Sequence, residues 1–250
     1  MEIPKQNRTA SVKPYGNEGT TKKEEVAAMF NNIAPRYDLL NHLLSMGIDK
    51  GWRKKAVALF KDKPPFHLLD VATGTGDFAI TALNINPGKI TGVDISEGML
   101  EMGRKKLAEK GLGSKIELLF GDSEQLPFPD KTFDAAMVAF GVRNFGDLDK
   151  GLREINRVLQ PGGKLVILEF SNPQSFLIKQ LYWFYFRYIL PSIGKMVSKD
   201  SAAYTYLPES VKAFPDGEKF LEKLTQAGFD RTSQKHLTFG IASIYCGIKK

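Results

Sequence analysis

The stretch Leu68-Leu69-Asp70-Val71-Ala72-Thr73-Gly74-Thr75-Gly76-Asp77 constrains this chain more than any other. A short apolar run that passes into a turn with two glycines and then into a helical pattern opens a strand–helix–strand unit, and such units stack into a parallel sheet. The pattern repeats. Strands are predicted at Phe66–Val71, Ile90–Asp94, Ile116–Phe120, Phe133–Val138 and Lys164–Glu169. Crossover helices are predicted from Asp77 to Leu83, from Ser96 to Glu109 with Ser96 as N-cap, and from Leu148 to Leu159, the last ending at Gln160-Pro161-Gly162-Gly163. A final helix, Gly217–Ala227, stops at Gly228, and Phe229–His236 and Ile241–Ile248 read as a closing hairpin around Gly240.

Ahead of the sheet, Val26, Phe30 and Ile33 fall at helical spacing, and Pro35 divides the segment up to Phe60 into at least two helices. Residues 1–25 hold no apolar core of the kind a signal peptide needs and read as a flexible tail. With 250 residues and 42% hydrophobic content the chain can bury one sizeable core. The expected layout is therefore a tail at 1–25, a helical cap at 26–60, and one α/β domain at 61–250 with an aromatic-rich insertion at about 172–212. Within that insertion, Phe176 to Ile193 is crowded with large apolar side chains but interrupted by Lys179, Arg187 and Pro191. It makes a poor membrane-spanning helix and a better interfacial or substrate-covering one; a helix buried on the sheet is the plain alternative. Cys246 is the only cysteine and His42, His67 and His236 the only histidines, so no disulfide and no metal site is expected, and a cytoplasmic location is the simple reading. The net charge of +7 could favour an anionic membrane surface or nucleic acid, but Lys and Arg are scattered and no RNA-binding aromatic motif is present, so nucleic acid is not expected.

The glycine turn invites a nucleotide, because it lets backbone approach a ligand and is followed by the unpaired N–H groups of a helix start. A dinucleotide is one candidate, with Ala79 at the third glycine position. Its pyrophosphate, however, would lie between Asp70 and Asp77, with no Lys or Arg in the turn to offset them. S-adenosylmethionine has no phosphate, and its ammonium and sulfonium groups are cations that Asp70 and the carbonyls favour. Gly74 and Gly76 shape the turn, and the Thr73 and Thr75 hydroxyls can bond the methionyl carboxylate or ammonium. Asp94 ends the second strand where a ribose should lie and can accept from both of its hydroxyls; the structural alternative is an N-cap role for Asp94. After the third strand, Gly121-Asp122-Ser123 offers an acid and a backbone N–H, which can read an adenine edge.

Taken together, Asp-x-x-x-Gly-x-Gly, Asp94, Gly-Asp-Ser and Arg157-Val-Leu-Gln-Pro-Gly-Gly resemble the class I S-adenosylmethionine-dependent methyltransferases. Tyr37-Asp38-Leu39-Leu40-Asn41 with Ser45 and Trp52, Phe140-Gly141-Val142-Arg143-Asn144, and the run from Arg157 to Ser171 are similar to signatures of the ubiquinone and menaquinone biosynthesis C-methyltransferase family. The resemblance runs from about Val26 to the C-terminus. It implies a Rossmann-like, mostly parallel sheet with a C-terminal antiparallel hairpin and an N-terminal helical cap. Three positions depart from the family pattern: Leu40 stands for Met or Ile, Asp49 for His and Gln160 for Lys.

The activity so implied is methyl transfer from S-adenosylmethionine to a ring carbon of a reduced prenylated quinone, demethylmenaquinol foremost; another small-molecule acceptor is the alternative. Such chemistry needs a ring hydroxyl polarised so that charge reaches the ortho carbon. Arg143 is the candidate for stabilising the oxyanion and Asn144 for fixing a hydroxyl, with a salt bridge from Arg143 to Asp147 or Glu169 as its structural alternative. Tyr37, with Asn41 one helical turn on and Asp38 beside it, would present polar groups from the cap. The prenyl tail needs an apolar path, which Phe176 to Leu190 could supply, followed by Lys199-Asp200-Ser201, Tyr204 and Tyr206. Peripheral membrane contact through 176–193 is expected on the same ground, and an oligomer stays open.

Overall fold

A strand apolar at every position must be covered on both faces, and Leu68 and Leu69, successive residues of β1 (His67–Val71), are both fully buried. The computed structural model describes residues 12–45, 47–173, 175–185, 188 and 202–250. Among these, β1, β2 (Lys89–Asp94), β3 (Ile116–Phe120), β4 (Phe133–Ala139), β5 (Leu159–Phe170), β6 (Phe229–Leu237) and β7 (Ala242–Lys249) form one sheet in the order β3-β2-β1-β4-β5-β7-β6. The first five are parallel, with Leu69 opposite Thr91 on one side and Ala136 on the other, and β7 runs antiparallel to both β5 and β6. This is the α/β class I methyltransferase sheet that the sequence leads one to expect, closing hairpin included.

The two faces carry separate cores. On one, Leu68, Ile90, Met137 and Val166 meet Trp52, Ala56 and Phe60, together with Phe78 and Leu100 from the crossover helices α4 (Asp77–Ala82) and α5 (Glu97–Glu109). On the other, Leu69, Val71, Val138 and Ile167 meet Leu152 and Ile155 of α6 (Leu148–Val158) and Phe220 and Leu224 of α9 (Glu218–Gln226). Strand order reverses between β1 and β4, so the carboxyl ends of those two strands splay their loops apart and leave a crevice.

Strand β5 starts earlier than expected. Helix α6 stops at Val158, ahead of Gly162 and Gly163, which lie within β5; the ladder pairs Leu159 with Phe133, then bulges and resumes at Lys164 opposite Ala135.

Helices α1 (Lys22–Ile33), α2 (Tyr37–Leu44) and α3 (Ile48–Val57) cover the crevice, with Pro35 in the 3-10 turn that divides the first two. Thr21 and Glu24 form a capping box at the start of α1, and the Glu25 carboxylate accepts from the amides of Tyr15, Gly16 and Asn17. Side-chain clasps fix the cap to the sheet. Asn31 Oδ1 accepts from Ser96 Oγ at 2.7 Å and from the Gly98 amide at 2.9 Å, while Asp38 accepts from Thr75 Oγ1 at 2.5 Å and pairs with Lys106. Helices α7 (Phe176–Phe184) and α8 (Ala202–Ala213) complete the covering layer. The expectations for Lys199-Asp200-Ser201, and for 186–187 and 189–193, lie outside the described residues.

Candidate active site

The turn after β1 bends the chain so that its backbone faces the crevice: Ala72, Gly74 and Gly76 all take positive φ, at 54°, 57° and 81°. Gly76 serves there through conformation, as the left-handed cap of α4, and its α-carbon faces Leu118 rather than the crevice. Asp94, at the end of β2, is clamped by backbone. Its Oδ2 accepts from the Gly74 amide and its Oδ1 from the Ser96 amide, both at 2.8 Å, while Ser96 Oγ caps α5 on the Met99 amide. The Asp94 carboxylate thus ties the turn to the end of β2 and borders the crevice, while the N-cap of α5 is Ser96 and not Asp94. A cavity there is lined by Tyr37, Gly74, Asp94, Asp122, Ser123 and Asn144, with Lys23 and Phe30 of α1 across from them. Asp122 is held by Lys23 at 2.6 Å and by the Glu124 amide at 2.9 Å.

Beneath the turn lies Asp70, buried, with Oδ2 accepting from Thr73 Oγ1 at 2.6 Å and Oδ1 making no hydrogen bond among the described residues. Burial, with Asp94 nearby adding to it, pushes the Asp70 carboxyl up to about 7, and burial also raises Asp94 against the amides that hold it down. A buried carboxylate and a half-buried one beside a glycine turn make a place for a cation and repel an anion. That fits S-adenosylmethionine and disfavours a pyrophosphate.

A second, larger cleft adjoins the first, enclosing about 1680 Å³ with its open mouth included. Its walls come from distant parts of the chain: Met29 and Ile33 of α1, Trp52 of α3, Phe140, Phe170, Leu181 and Tyr182 of α7, Tyr206 of α8, and Phe239 before β7. Phe30, Tyr37 and Phe140 border both spaces, so the two meet at these rings. Phe140 sits in the left-handed region, and Gly141 must follow it, because a β-carbon there would come within 2.6 Å of Ala72 Cβ.

Arg143 reaches the cleft from the 3-10 turn after β4. Its guanidinium pairs with the fully buried Glu169 at 2.8 Å and lies 5.4 Å from the centroid of Phe170, while its Nε is buried without a partner among the described residues. The salt bridge foreseen as the alternative for Arg143 thus exists, and its partner is Glu169; Asp147 caps α6 instead. Asn144 is turned the other way, into the first cavity, where Nδ2 donates to the Phe140 carbonyl and Oδ1 accepts from Tyr206. His67 and His236 contact Thr91 and Ser243 on the sheet.

The crevice therefore gathers Tyr37, Gly74, Asp94, Asp122, Ser123 and Asn144 around one space, Asp70 and Thr73 below it, and Arg143 in the adjoining cleft. Sequence reading missed Arg53, which lines that cleft one helical turn from Asp49 and is paired with it. The i,i+4 spacing of opposite charges was the available signal. It also missed Lys23, which lies in a segment that composition marks as tail.

Residues 18–249 match the family model described as the ubiE/COQ5 methyltransferase family. A demethylmenaquinone methyltransferase of Bacteroides fragilis is 50% identical over 239 residues, 95% of this chain and 97% of the relative. The ubiquinone/menaquinone biosynthesis C-methyltransferase UbiE of Geobacter sulfurreducens is 48% identical over 232 residues, 92% of this chain and 90% of the relative. Among solved structures, the [4+2]-cyclase SpnF superposes with a TM-score of 0.66 at 18% identity, covering 91% of this chain and 96% of its own. An S-adenosylmethionine-dependent methyltransferase of Thermotoga maritima superposes with a TM-score of 0.62 at 23% identity, covering 90% and 100%. At those identities the likeness is one of fold.

Proposed function

Because the chain belongs to the ubiE/COQ5 methyltransferase family, we propose that it transfers the methyl group of S-adenosylmethionine to a ring carbon of a reduced prenylated quinone, converting demethylmenaquinol to menaquinol. The names of its relatives support this acceptor. The observation that carries it is the junction at Tyr37 and Phe140, where a cavity bordered by the Asp94 and Asp122 carboxylates meets an apolar cleft large enough for a bicyclic ring and part of its tail.

On this reading Asp94 accepts from the ribose hydroxyls, and Asp122 with the Ser123 amide reads the adenine edge. Asp70, Thr73 and the amides around Gly74 hold the methionyl end, Asp70 taking the ammonium. When bound, S-adenosylmethionine supplies an electrophilic methyl: an electron pair of the ring carbon forms the new C–C bond, the C–S pair stays on sulfur, and the proton of that carbon is lost. Arg143 directs its guanidinium to the ring hydroxyl beside the reacting carbon and stabilises the negative charge that develops there. Glu169 keeps this guanidinium fixed and its charge compensated while it is buried. Tyr37 and Asn144 border the point of transfer and orient the ring, and the cap helices exclude water from it.

The prenyl tail leaves through the open end of the cleft. Ile48, Leu181 and Phe239 line that opening and are exposed, as are Phe176, Leu177 and Phe184 of α7. An apolar rim of this kind suits docking on a lipid surface, from which the tail need not be fully extracted. Among the described residues no helix is long and apolar enough to cross a membrane; on this reading the exposed apolar side chains of α7 carry a peripheral contact.

The test is methyl transfer from labelled S-adenosylmethionine to chemically reduced demethylmenaquinol, with the oxidised quinone and Asp94→Ala as controls. Product is expected from the quinol alone, and Asp94→Ala should weaken donor binding at least about tenfold. Intact donor binding with no product would overturn the acceptor and leave the methyltransferase assignment standing.

A further inference from the structure

Trp52, Phe140 and Phe170 form a shelf along one wall of the apolar cleft. Phe140 and Phe170 stack with centroids 4.6 Å apart, and the Trp52 ring meets them at 6.2 and 6.3 Å. A guanidinium lies against each of the two phenyl rings. Arg143 lies 5.4 Å from the Phe170 centroid, and Arg53 lies 5.9 Å from that of Phe140. The two are built alike. The side chain of Arg53 is 8% exposed and bonded to the buried Asp49, just as Arg143 is bonded to Glu169, and in each arginine Nε is buried without a partner among the described residues. Ser45 Oγ donates to Asp49 at 2.5 Å and so fixes the carboxylate that fixes Arg53.

Stability does not explain the second pair. A buried ion pair in an apolar wall is no more stabilising than well-packed hydrophobic residues of the same volume, and each donor left without an acceptor adds a penalty. Such a pair is accounted for by a ligand that supplies the missing acceptor. A flat ring laid along the shelf meets an arginine at each of the two phenyl rings, and a 1,4-quinol carries an oxygen at each end.

We propose that Arg53, positioned by Asp49, binds the ring oxygen across from the one that Arg143 polarises, so that the cleft selects acceptors with two para oxygens over those with one. The proposal rests on the quinol reading given above. Arg143 acts on the oxygen beside the reacting carbon. Arg53 sets the register of the ring along the shelf and thereby which carbon faces the donor. Its planar fork suits this role, since it can keep Asp49 on one edge and offer N–H donors on another.

The experiment compares two acceptors: reduced prenylated 1,4-naphthoquinol, and the matching prenylated 1-naphthol, which keeps the hydroxyl beside the methylated carbon and lacks the one across the ring. Arg53→Met should lower kcat/KM on the quinol roughly 10- to 100-fold, the size of a lost hydrogen bond to a charged donor. On the naphthol the loss should be smaller by a factor of about ten or more. Arg53→Lys, which retains a charge and a donor, should recover part of the quinol rate. Because Arg53→Met leaves Asp49 buried without its cation, the double variant Asp49→Asn/Arg53→Met repeats the comparison with no charge in the wall, and the same discrimination is expected. Equal losses on both acceptors would overturn the proposal while leaving the quinol reading intact. If the unmodified chain methylates neither acceptor although it binds S-adenosylmethionine, the quinol reading falls and this proposal falls with it.

Discussion

The donor cavity and the acceptor cleft share three side chains, Phe30, Tyr37 and Phe140, yet they are built in opposite ways. The donor cavity is a product of the sheet: its key carboxylate is set by backbone amides of two residues, Gly74 and Ser96, whose positions follow from the pairing of β1 with β2. The acceptor cleft has no such frame. Its polar groups are arginines held by side-chain acids, and its walls are drawn from α1, α3, α7, α8 and two loops that meet only in the finished fold. On the proposed reading, donor recognition is thus local and backbone-made, whereas acceptor recognition is long-range and carried by side chains. Substitutions can then alter the acceptor side without disturbing the donor side.

Arg143→Met is the strongest test of that separation. It should lower kcat about 10²- to 10³-fold, as loss of an oxyanion donor does, while calorimetry finds donor affinity unchanged. Burial already raises the Glu169 carboxyl, so without its partner it should stay protonated and the fold should persist. A parallel fall in donor affinity would mean that the two sites are not independent.

Next in size is a pH effect confined to the donor side. Asp70 must be ionised to hold an ammonium, and its carboxyl titrates at about 7 in the fold. Donor affinity should therefore rise on the order of tenfold between pH 6 and pH 8, and Asp70→Asn should flatten the profile. The same shift has a consequence for stability. An unfolded Asp titrates near 3.9, so this carboxyl's contribution is fully present below that value and is lost as pH rises through about 7. Asp70→Asn should accordingly bind the donor less well and yet raise Tm at pH 8 by at least roughly 2–4 °C. A variant that melts lower at that pH would show that Asp70 is not the strained group.

The same contrast explains what the sequence discloses. Asp94 is legible because the features that define it are close by: an apolar strand, a terminal carboxylate, and a serine two residues later that caps the next helix. Arg53 is not, because what makes it interesting is its distance from Arg143 across a shelf of Trp52, Phe140 and Phe170, and no periodicity encodes that juxtaposition. Lys23 escapes notice for a related reason: composition describes residues 1–25, but a capping box and the Glu25 carboxylate draw part of that segment into a helix that reaches Asp122. The early start of β5 is hidden by Gly162-Gly163, which signals a stop although the ladder resumes beyond the bulge.

The smallest expected effect lies at the rim of the cleft, where Phe239 is 76% exposed and adopts a left-handed φ of 56°. Replacement by glycine would relieve that backbone and confuse the result, whereas asparagine tolerates the conformation and removes the apolar surface. Phe239→Asn should therefore lower kcat/KM on a long-tailed quinol in vesicles roughly three- to fivefold, the range for losing part of one aromatic contact. On a tail-less analogue in solution it should change little, since the ring sits deeper, against Trp52 and Phe140. An equal drop on both would place Phe239 in ring binding and extend the acceptor site to the surface. A drop on neither would remove the rim from the tail's path and leave the exposed side chains of α7 as the route out of the cleft.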